Sequence, residues 1–258
     1  MKSITLLTDF GLKDPYVGVM KGVILSINPD VHIVDISHDV EPQDITEGCF
    51  LIGEYVPFFG KGSVHICIVD PTVGSDRRPI VVAQDDRFFV GPDNGIFSLV
   101  IGKRSLVYHV ENKAYMLKQV SHTFHGRDIF APVAAHLSLG LNPQALGKKI
   151  DDPVLLPDLH PRVKGRTMTG KVVRFDRFGN ALSNISIDSF NRFVKGRSFQ
   201  IRLHDMRFET LTRSYFEDRY TCVVGSSGYL EFGLFRGDLS RAESVRKGDA
   251  VTVTLLKR

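Results

Sequence analysis

Short β-branched runs bounded by Asp, Pro or Gly recur through the first half of the chain, at residues 3–8 (SITLLT), 31–37 (VHIVDIS), 64–69 (VHICIV), 80–83 (IVVA) and 106–110. They predict strands, several of them apolar enough to be buried on both faces. Helical periodicity fills the gaps. Val17, Met20, Val23, Ile24 and Ile27 recur at helical spacing behind Asp14 and Pro15, and Asn28-Pro29 stops the run. A helix is expected there. A second is expected over 45–58, with Asp44 as N-cap, Glu47 as its capping-box partner and Pro57 near the end. A third covers 129–139, where Pro132 fits only the first turn. Strands alternating with helices predict an open α/β domain whose mostly parallel sheet is covered on both sides.

From residue 141 the pattern changes. Residues 141–167 hold Pro143, Pro153, Pro157 and Pro161 with little periodicity, as a linker or extended crossover would. Beyond them, strand-like runs at 169–175, 198–203, 220–224, 228–232 and 250–255 are punctuated by Gly196, Gly225, Gly233, Gly237 and Gly248. That predicts a smaller β-barrel or β-sandwich with no long helix. The expected division is an α/β domain over residues 1–160 and a β domain over 168–258. No internal repeat or low-complexity stretch interrupts it.

Composition narrows the class. The chain has 258 residues, is 43% hydrophobic, and sets 33 Lys and Arg against 29 Asp and Glu. That balance is too even for disorder and the length suffices for a core without staples. The excess of basic charge is scattered, and its one dense patch, residues 162–171 (RVKGRTMTGK), sits in the expected linker. Nucleic-acid binding would show a basic stripe interleaved with aromatics, so no nucleic-acid partner is expected. No apolar run approaches the roughly 20 residues of a membrane span, and the N-terminus has no secretory apolar core. The three cysteines, Cys49, Cys67 and Cys222, are widely spaced. They suit a reducing compartment, and a cytoplasmic protein without a membrane partner is expected.

In an open α/β sheet, ligands bind beyond the carboxyl ends of the strands. Three clusters fall there: Thr8-Asp9-Phe10-Gly11 after the first strand, residues 69–78 (VDPTVGSDRR) after the third, and residues 123–128 (TFHGRD) at a helix entrance. A carboxylate, a guanidinium and an imidazole converging on one crevice would orient water or handle a proton. Each also has a plainer reading. A strand-end Asp caps or turns, Arg77 and Arg78 suit a surface pair, and His125 suits a capping or interdomain contact. Residues 91–95 (GPDNG) read as a turn, as do residues 176–180 (DRFGN), where Asn180 is able to turn left-handed. No metal signature occurs, and neither a GxGxxG nor a P-loop announces a nucleotide cofactor.

Taken together and in order, TDFG, VDPTVG with its RR, GPDNG, TFHGRD with FAP behind it, DRFGN and GSSGYLE span Thr8 to Glu231. This set resembles the S-adenosyl-L-methionine hydroxide adenosyltransferases, adenosine-forming hydrolases related to the fluorinase and chlorinase enzymes. The resemblance implies S-adenosyl-L-methionine as substrate with no cofactor. It also implies a homotrimer whose sites lie between the N-terminal domain of one subunit and the C-terminal domain of its neighbour. By the same resemblance, Asp70, Arg77 and His125 hold the nucleophilic water and Asp9 grips the ribose hydroxyls. Asp176 lies near the methionine ammonium, Phe178 against the adenosyl group, Asn180 on the adenine edge and Ser226 at methionine. Glu231 and the backbone near Leu234 fall where adenine contacts are expected. Thr72 departs from the commonest form, which has Gly after the Pro, and restricts that turn's φ.

The implied chemistry is attack of water on the ribose C5′, expelling methionine as a neutral thioether. Free water has a pKa near 15.7. A guanidinium beside it favours hydroxide character, and His125 with Asp70 is expected to orient it and accept its proton. Holding it in line with the C5′–S bond is worth roughly 7–11 kcal/mol. Two alternatives accompany this expectation: a halogenase forming 5′-halo-adenosine, and a non-catalytic adenosine or S-adenosylmethionine binder in which Asp70, Arg77 and His125 are structural. The triad favours water over a halide, which carries no proton to remove.

Overall fold

The computed structural model describes residues 2–257, and the chain divides into two units between Leu156 and Pro157. The first contains β1 (Ser3–Thr8), α1 (Tyr16–Ile27), β2 (His32–Ser37), α2 (Ile45–Tyr55), β3 (Val64–Ile68), β4 (Pro79–Gln84), β5 (Arg87–Pro92), β6 (Leu106–His109), α3 (Ala131–Ser138) and β7 (Lys149–Ile150). Its sheet runs β2-β1-β3-β5-β4-β6-β7. The strands from β2 to β5 pair in parallel, and β4, β6 and β7 add antiparallel.

Alternation along β1 decides the layers. Ile4 and Leu6 pack with Val17, Met20 and Ile24 of α1 and with Val133, Ala134 and Leu137 of α3. Leu7 faces the other way, towards Ile52 of α2, Cys67, Val82 and Phe89. Both faces are thus covered, which is why β1 and β3 read as apolar runs. Truncating a fully buried residue such as Leu6 to Ala would cost about 2–5 kcal/mol. The Asp44 carboxylate caps α2 by accepting the Glu47 N–H at 2.9 Å.

Two departures from the sequence reading matter. β5 was not expected; Asp85 and Asp86 take φ of 49° and 60° and return the chain from β4 in the manner of a two-residue hairpin. Residues 141–167 are also not a bare linker. They contain β7, paired with β6, and the first strand of a hairpin in the second unit.

That second unit holds β8 (Arg162–Lys164), β9 (Thr167–Phe175), β10 (Ala181–Ser186), α4 (Ile187–Val194), β11 (Phe199–Leu203), β12 (Met206–Phe208), β13 (Tyr220–Val224), β14 (Tyr229–Leu234), α5 (Leu239–Ala242) and β15 (Ala250–Leu255). The dense basic patch is therefore the β8–β9 hairpin, turned at Gly165. The order β12-β11-β15-β9-β10-β14-β13, with β8 beside β9, is antiparallel throughout, and β12 comes up against β13. The result is a nearly closed, barrel-like sheet around Val172, Ile185, Ile201, Leu230, Phe232 and Val253. β10 was missed because its buried positions are partly polar. Ser183 Oγ donates to the Leu230 carbonyl and Asn184 Oδ1 accepts the Lys171 N–H. Among the described residues, no helix is long and apolar enough to cross a membrane, and no three His, Cys, Asp or Glu side chains gather as a metal-binding group.

Candidate active site

The carboxyl ends of β1 and β3 lie side by side, because Thr8 pairs with Ile68 in the parallel register. Asp9 and Asp70 each follow just beyond their strands, on the same edge of the sheet. Asp70 Oδ2 accepts Arg77 Nε at 2.9 Å and Nη2 at 2.5 Å. The two side chains are 4% and 6% exposed, so removing either would strand a buried charge at about 3–5 kcal/mol. The loop that returns Arg77 to Asp70 turns at Gly74, φ +82°, where a Cβ would stand 2.2 Å from the His122 carbonyl oxygen. Only glycine fits there. Thr72 is not among the positive-φ residues, so its restricted φ falls where no left-handed backbone is required. Its hydroxyl faces Asp70 Oδ1 at 3.4 Å.

Arg77 Nη2 also lies 2.7 Å from His125 Nδ1. A guanidinium has only donors, so Nδ1 accepts and the imidazole carries its proton on Nε2. Burial, and then the Arg77 charge, hold the His125 pKa below the usual 6.5, against the opposing pull of Asp70 and Asp128. The geometry revises one expectation. With Nδ1 engaged and Nε2 protonated, His125 acts as a donor, and Asp70 Oδ1 is the acceptor that Arg77 leaves open. The guanidinium stacks over Phe130 at 5.4 Å, and its Nη1 is buried without a partner in the chain.

His125 enters a π-type turn, Gly126–Phe130, that runs into α3 with Pro132 in the first helical turn. Such wide turns recur at functional sites. Asp128, fully buried, fixes the loop ahead of it by accepting the Ser121 N–H and hydroxyl, both at 2.8 Å, and Arg127 Nε at 2.6 Å. Burial would raise the Asp128 pKa, but the bonds from Arg127 and Ser121 hold it below the usual carboxylate range. Phe124 packs edge-on against Phe10 at 6.1 Å and Tyr16 at 5.2 Å, joining the His125 and Asp9 loops. Asp9 Oδ2 accepts the Gln43 N–H at 2.9 Å. The GPDNG segment is more than a turn: Asn94 Nδ2 donates to the Val69 carbonyl at 2.8 Å, one residue before Asp70, and Asp93 pairs with Arg78 at 2.6 Å.

In the second unit, Asp176, Phe178, Asn180, Ser226 and Glu231 line a single open cleft of about 860 Å³. Asp176 Oδ1 accepts the N–H groups of Phe178 and Asn180, both at 2.9 Å, and Oδ2 accepts Asn180 Nδ2 at 2.8 Å. The carboxylate therefore shapes the β9–β10 turn, whose left-handed residue is Gly179 rather than Asn180. Asn180, its amide nitrogen committed to Asp176, presents Oδ1 as an acceptor beside Gly233. Phe178 is 76% exposed to the cleft, whereas Glu231 is buried and accepts the Tyr215 hydroxyl. Burial and Glu231 push the Tyr215 phenol up. A Cβ on Gly225 would stand 1.9 Å from Glu231 Oε1, so glycine there leaves room for the carboxylate. Ser226 is exposed, and the next residue, Ser227, has a buried hydroxyl without a partner in the chain. Tyr215 was not found from sequence. It lies in an irregular segment, and no spacing distinguishes it from its polar neighbours.

Residues 4–147 match the family model of the SAM hydroxide adenosyltransferase N-terminal domain and residues 170–252 that of the C-terminal domain. The (R)-S-adenosyl-L-methionine hydrolase of Methanocaldococcus jannaschii is 34% identical over 265 residues, covering 97% of this chain and 95% of that one. The Thermus thermophilus protein of the same name is 34% identical over 264 residues, at 96% and 98% coverage. A fluorinase of Actinoplanes sp. is 26% identical over 288 residues, covering 97% of each chain. Among solved structures, an uncharacterized conserved protein from Thermotoga maritima superposes with a TM-score of 0.86 at 32% identity, over 98% of this chain and 100% of that one. With both halves matched and relatives of this identity covering nearly its full length, the chain belongs to the SAM hydroxide adenosyltransferase family.

Proposed function

We propose that this protein hydrolyses S-adenosyl-L-methionine to adenosine and L-methionine, with Asp70, Arg77 and His125 as the catalytic residues. The observation that carries the reading is the bonded Asp70–Arg77–His125 group with one buried guanidinium donor, Nη1, left over. Arg77 Nη1 and His125 Nε2–H are the donors that would orient the water. Its oxygen bonds to C5′ as the C5′–S bond breaks, and that electron pair goes to sulfur, leaving the neutral thioether of methionine. The displaced proton passes to Asp70 Oδ1 and then to solvent. The donors are fixed before the reaction, which is how a protein stabilises charge as it develops. Halide attack suits this group less well, since a halide brings no proton for Asp70.

In this reading Asp9 accepts from the ribose hydroxyls, Phe178 stacks on the adenosyl group and Asn180 Oδ1 accepts from the adenine edge. Asp176 and Ser226 serve the methionine end, and Glu231 borders the adenine. No cofactor enters the reaction. The reading extends to a cytoplasmic homotrimer in which neighbouring subunits complete each other's sites; a monomeric mass by light scattering would count against that assembly. The names of the relatives make the (R) sulfonium the first diastereomer to assay. Purified protein in ¹⁸O-water should convert S-adenosylmethionine to methionine and to adenosine labelled at the 5′-hydroxyl. Unlabelled adenosine, or no turnover, would overturn the assignment.

A further inference from the structure

Asp9 is held from behind. β1 and β2 shift register between Leu6 and Leu7, so that Leu6 pairs with Asp35 and Leu7 with Ser37, and His38 follows directly. Its side chain is 4% exposed and its Nδ1 lies 2.8 Å from the hydroxyl of fully buried Thr8. Nε2 stands 3.1 Å from Asp35 Oδ1, an ion-pair distance off the hydrogen-bond line, and Lys21 Nζ donates to Asp35 Oδ2 at 2.6 Å.

These contacts fix the direction of each proton. Burial works against the Asp35 charge, but Lys21 and His38 outweigh it and hold the carboxyl below its usual range. An ionised carboxylate is acceptor-only, so the imidazole proton sits on Nε2 and Nδ1 accepts from Thr8. The same Thr8 oxygen accepts the Phe10 N–H at 3.2 Å, and the His38 carbonyl accepts the Gly11 N–H at 2.8 Å. The residues on both sides of Asp9 are thus tied to one histidine, while Gln43 fixes Oδ2.

We infer that His38 is a positioning residue: through Thr8, and with Asp35 and Lys21 behind it, it aims the Asp9 carboxylate at the ribose hydroxyls of the substrate. This rests on the proposed function and adds to it a chain of residues that touches no substrate.

The readout is the ratio of kcat/KM for S-adenosylmethionine to that for its 2′-deoxy analogue. A hydrogen bond from the 2′-hydroxyl to a charged group makes this ratio about tenfold or more in the native protein. His38→Ala and Thr8→Val should each bring it below about threefold, chiefly by raising KM for S-adenosylmethionine, with the 2′-deoxy substrate little changed. His38→Asn keeps an acceptor near the Nδ1 position and should restore most of the discrimination. Equal losses on both substrates, or a native ratio in both His38→Ala and Thr8→Val, would overturn the inference, and Thr8→Val decides should His38→Ala fail to fold. A native protein that turns over S-adenosylmethionine without discriminating removes the Asp9 and His38 roles and leaves hydrolysis standing. One that turns over neither substrate removes the function and this inference together.

Discussion

At the sheet edge of the first unit, Asp70 and Arg77 are 4% and 6% exposed and bonded to each other; in the cleft of the second, Phe178 is 76% and Phe235 43% exposed. The first region buries an ion pair and leaves one of its donors, Arg77 Nη1, without a partner in the chain. The second displays apolar ring faces and keeps its buried carboxylate, Glu231, bonded to Tyr215. The contrast follows from what each would do. Orienting a water requires fixed donors in a poorly solvated setting, where they act strongly. Recognising a flat heterocycle requires open aromatic area, whose stacking tolerates small misplacement. Damage to the first region should therefore appear in the rate of the chemical step, and damage to the second in binding.

The largest separation is expected from Arg77→Ala. It removes Nη1, one of the two proposed donors to the water, and strands Asp70, so kcat should fall about a hundredfold or more while adenosine still binds. Stability should drop by about 3–5 kcal/mol, read by denaturant melting. Wild-type turnover would mean the two regions do not divide the work as described. Next comes Phe178→Ala, which deletes an exposed ring and should leave the melting curve unchanged. KM should rise about tenfold with kcat within a factor of two, since base–aromatic stacking contributes roughly 1–3 kcal/mol; a collapse of kcat instead would erase the contrast.

The finest probe is pH. Protonating His125 would set a second N–H against the Arg77 donors, so activity needs the neutral imidazole. Burial and Arg77 depress its pKa, and the neutral form therefore persists as pH falls past the usual 6.5. The acid limb of kcat should lie below that value. In Arg77→Gln the depressing charge is gone while Asp70 remains, and the His125 titration followed by NMR should move upward. A downward movement would contradict the pairing.

Much of this was legible in the sequence. β1 and β15 have the bounds their apolar runs suggest, and Asp44 caps α2 as its spacing predicts. Asp70, Arg77 and His125 could be placed at strand ends and a helix entrance, because those positions depend on local pattern. Their bonding to one another depends on the parallel register and on a glycine pressed against the His122 carbonyl, which no local pattern encodes. β5 escaped because its turn uses two left-handed Asp residues in place of a recognisable Asn-Gly. β10 escaped because buried Ser183 and Asn184 break its apolar signature while finding backbone partners in the fold. Asp176 shows the same limit from the other side: its motif marked it as important without revealing that its carboxylate also ties the turn.

The uncharged imidazole of His125 has a consequence for turnover. Asp9 and Asp70 set two carboxyl groups against the one guanidinium of Arg77 at this sheet edge, a formal excess of one negative charge. In the proposed reaction the sulfonium reactant is a cation and would be drawn towards it. Adenosine and zwitterionic methionine carry no net charge, so that attraction would end with the same event that breaks the C5′–S bond, and surroundings that favour entry would do nothing to retard departure.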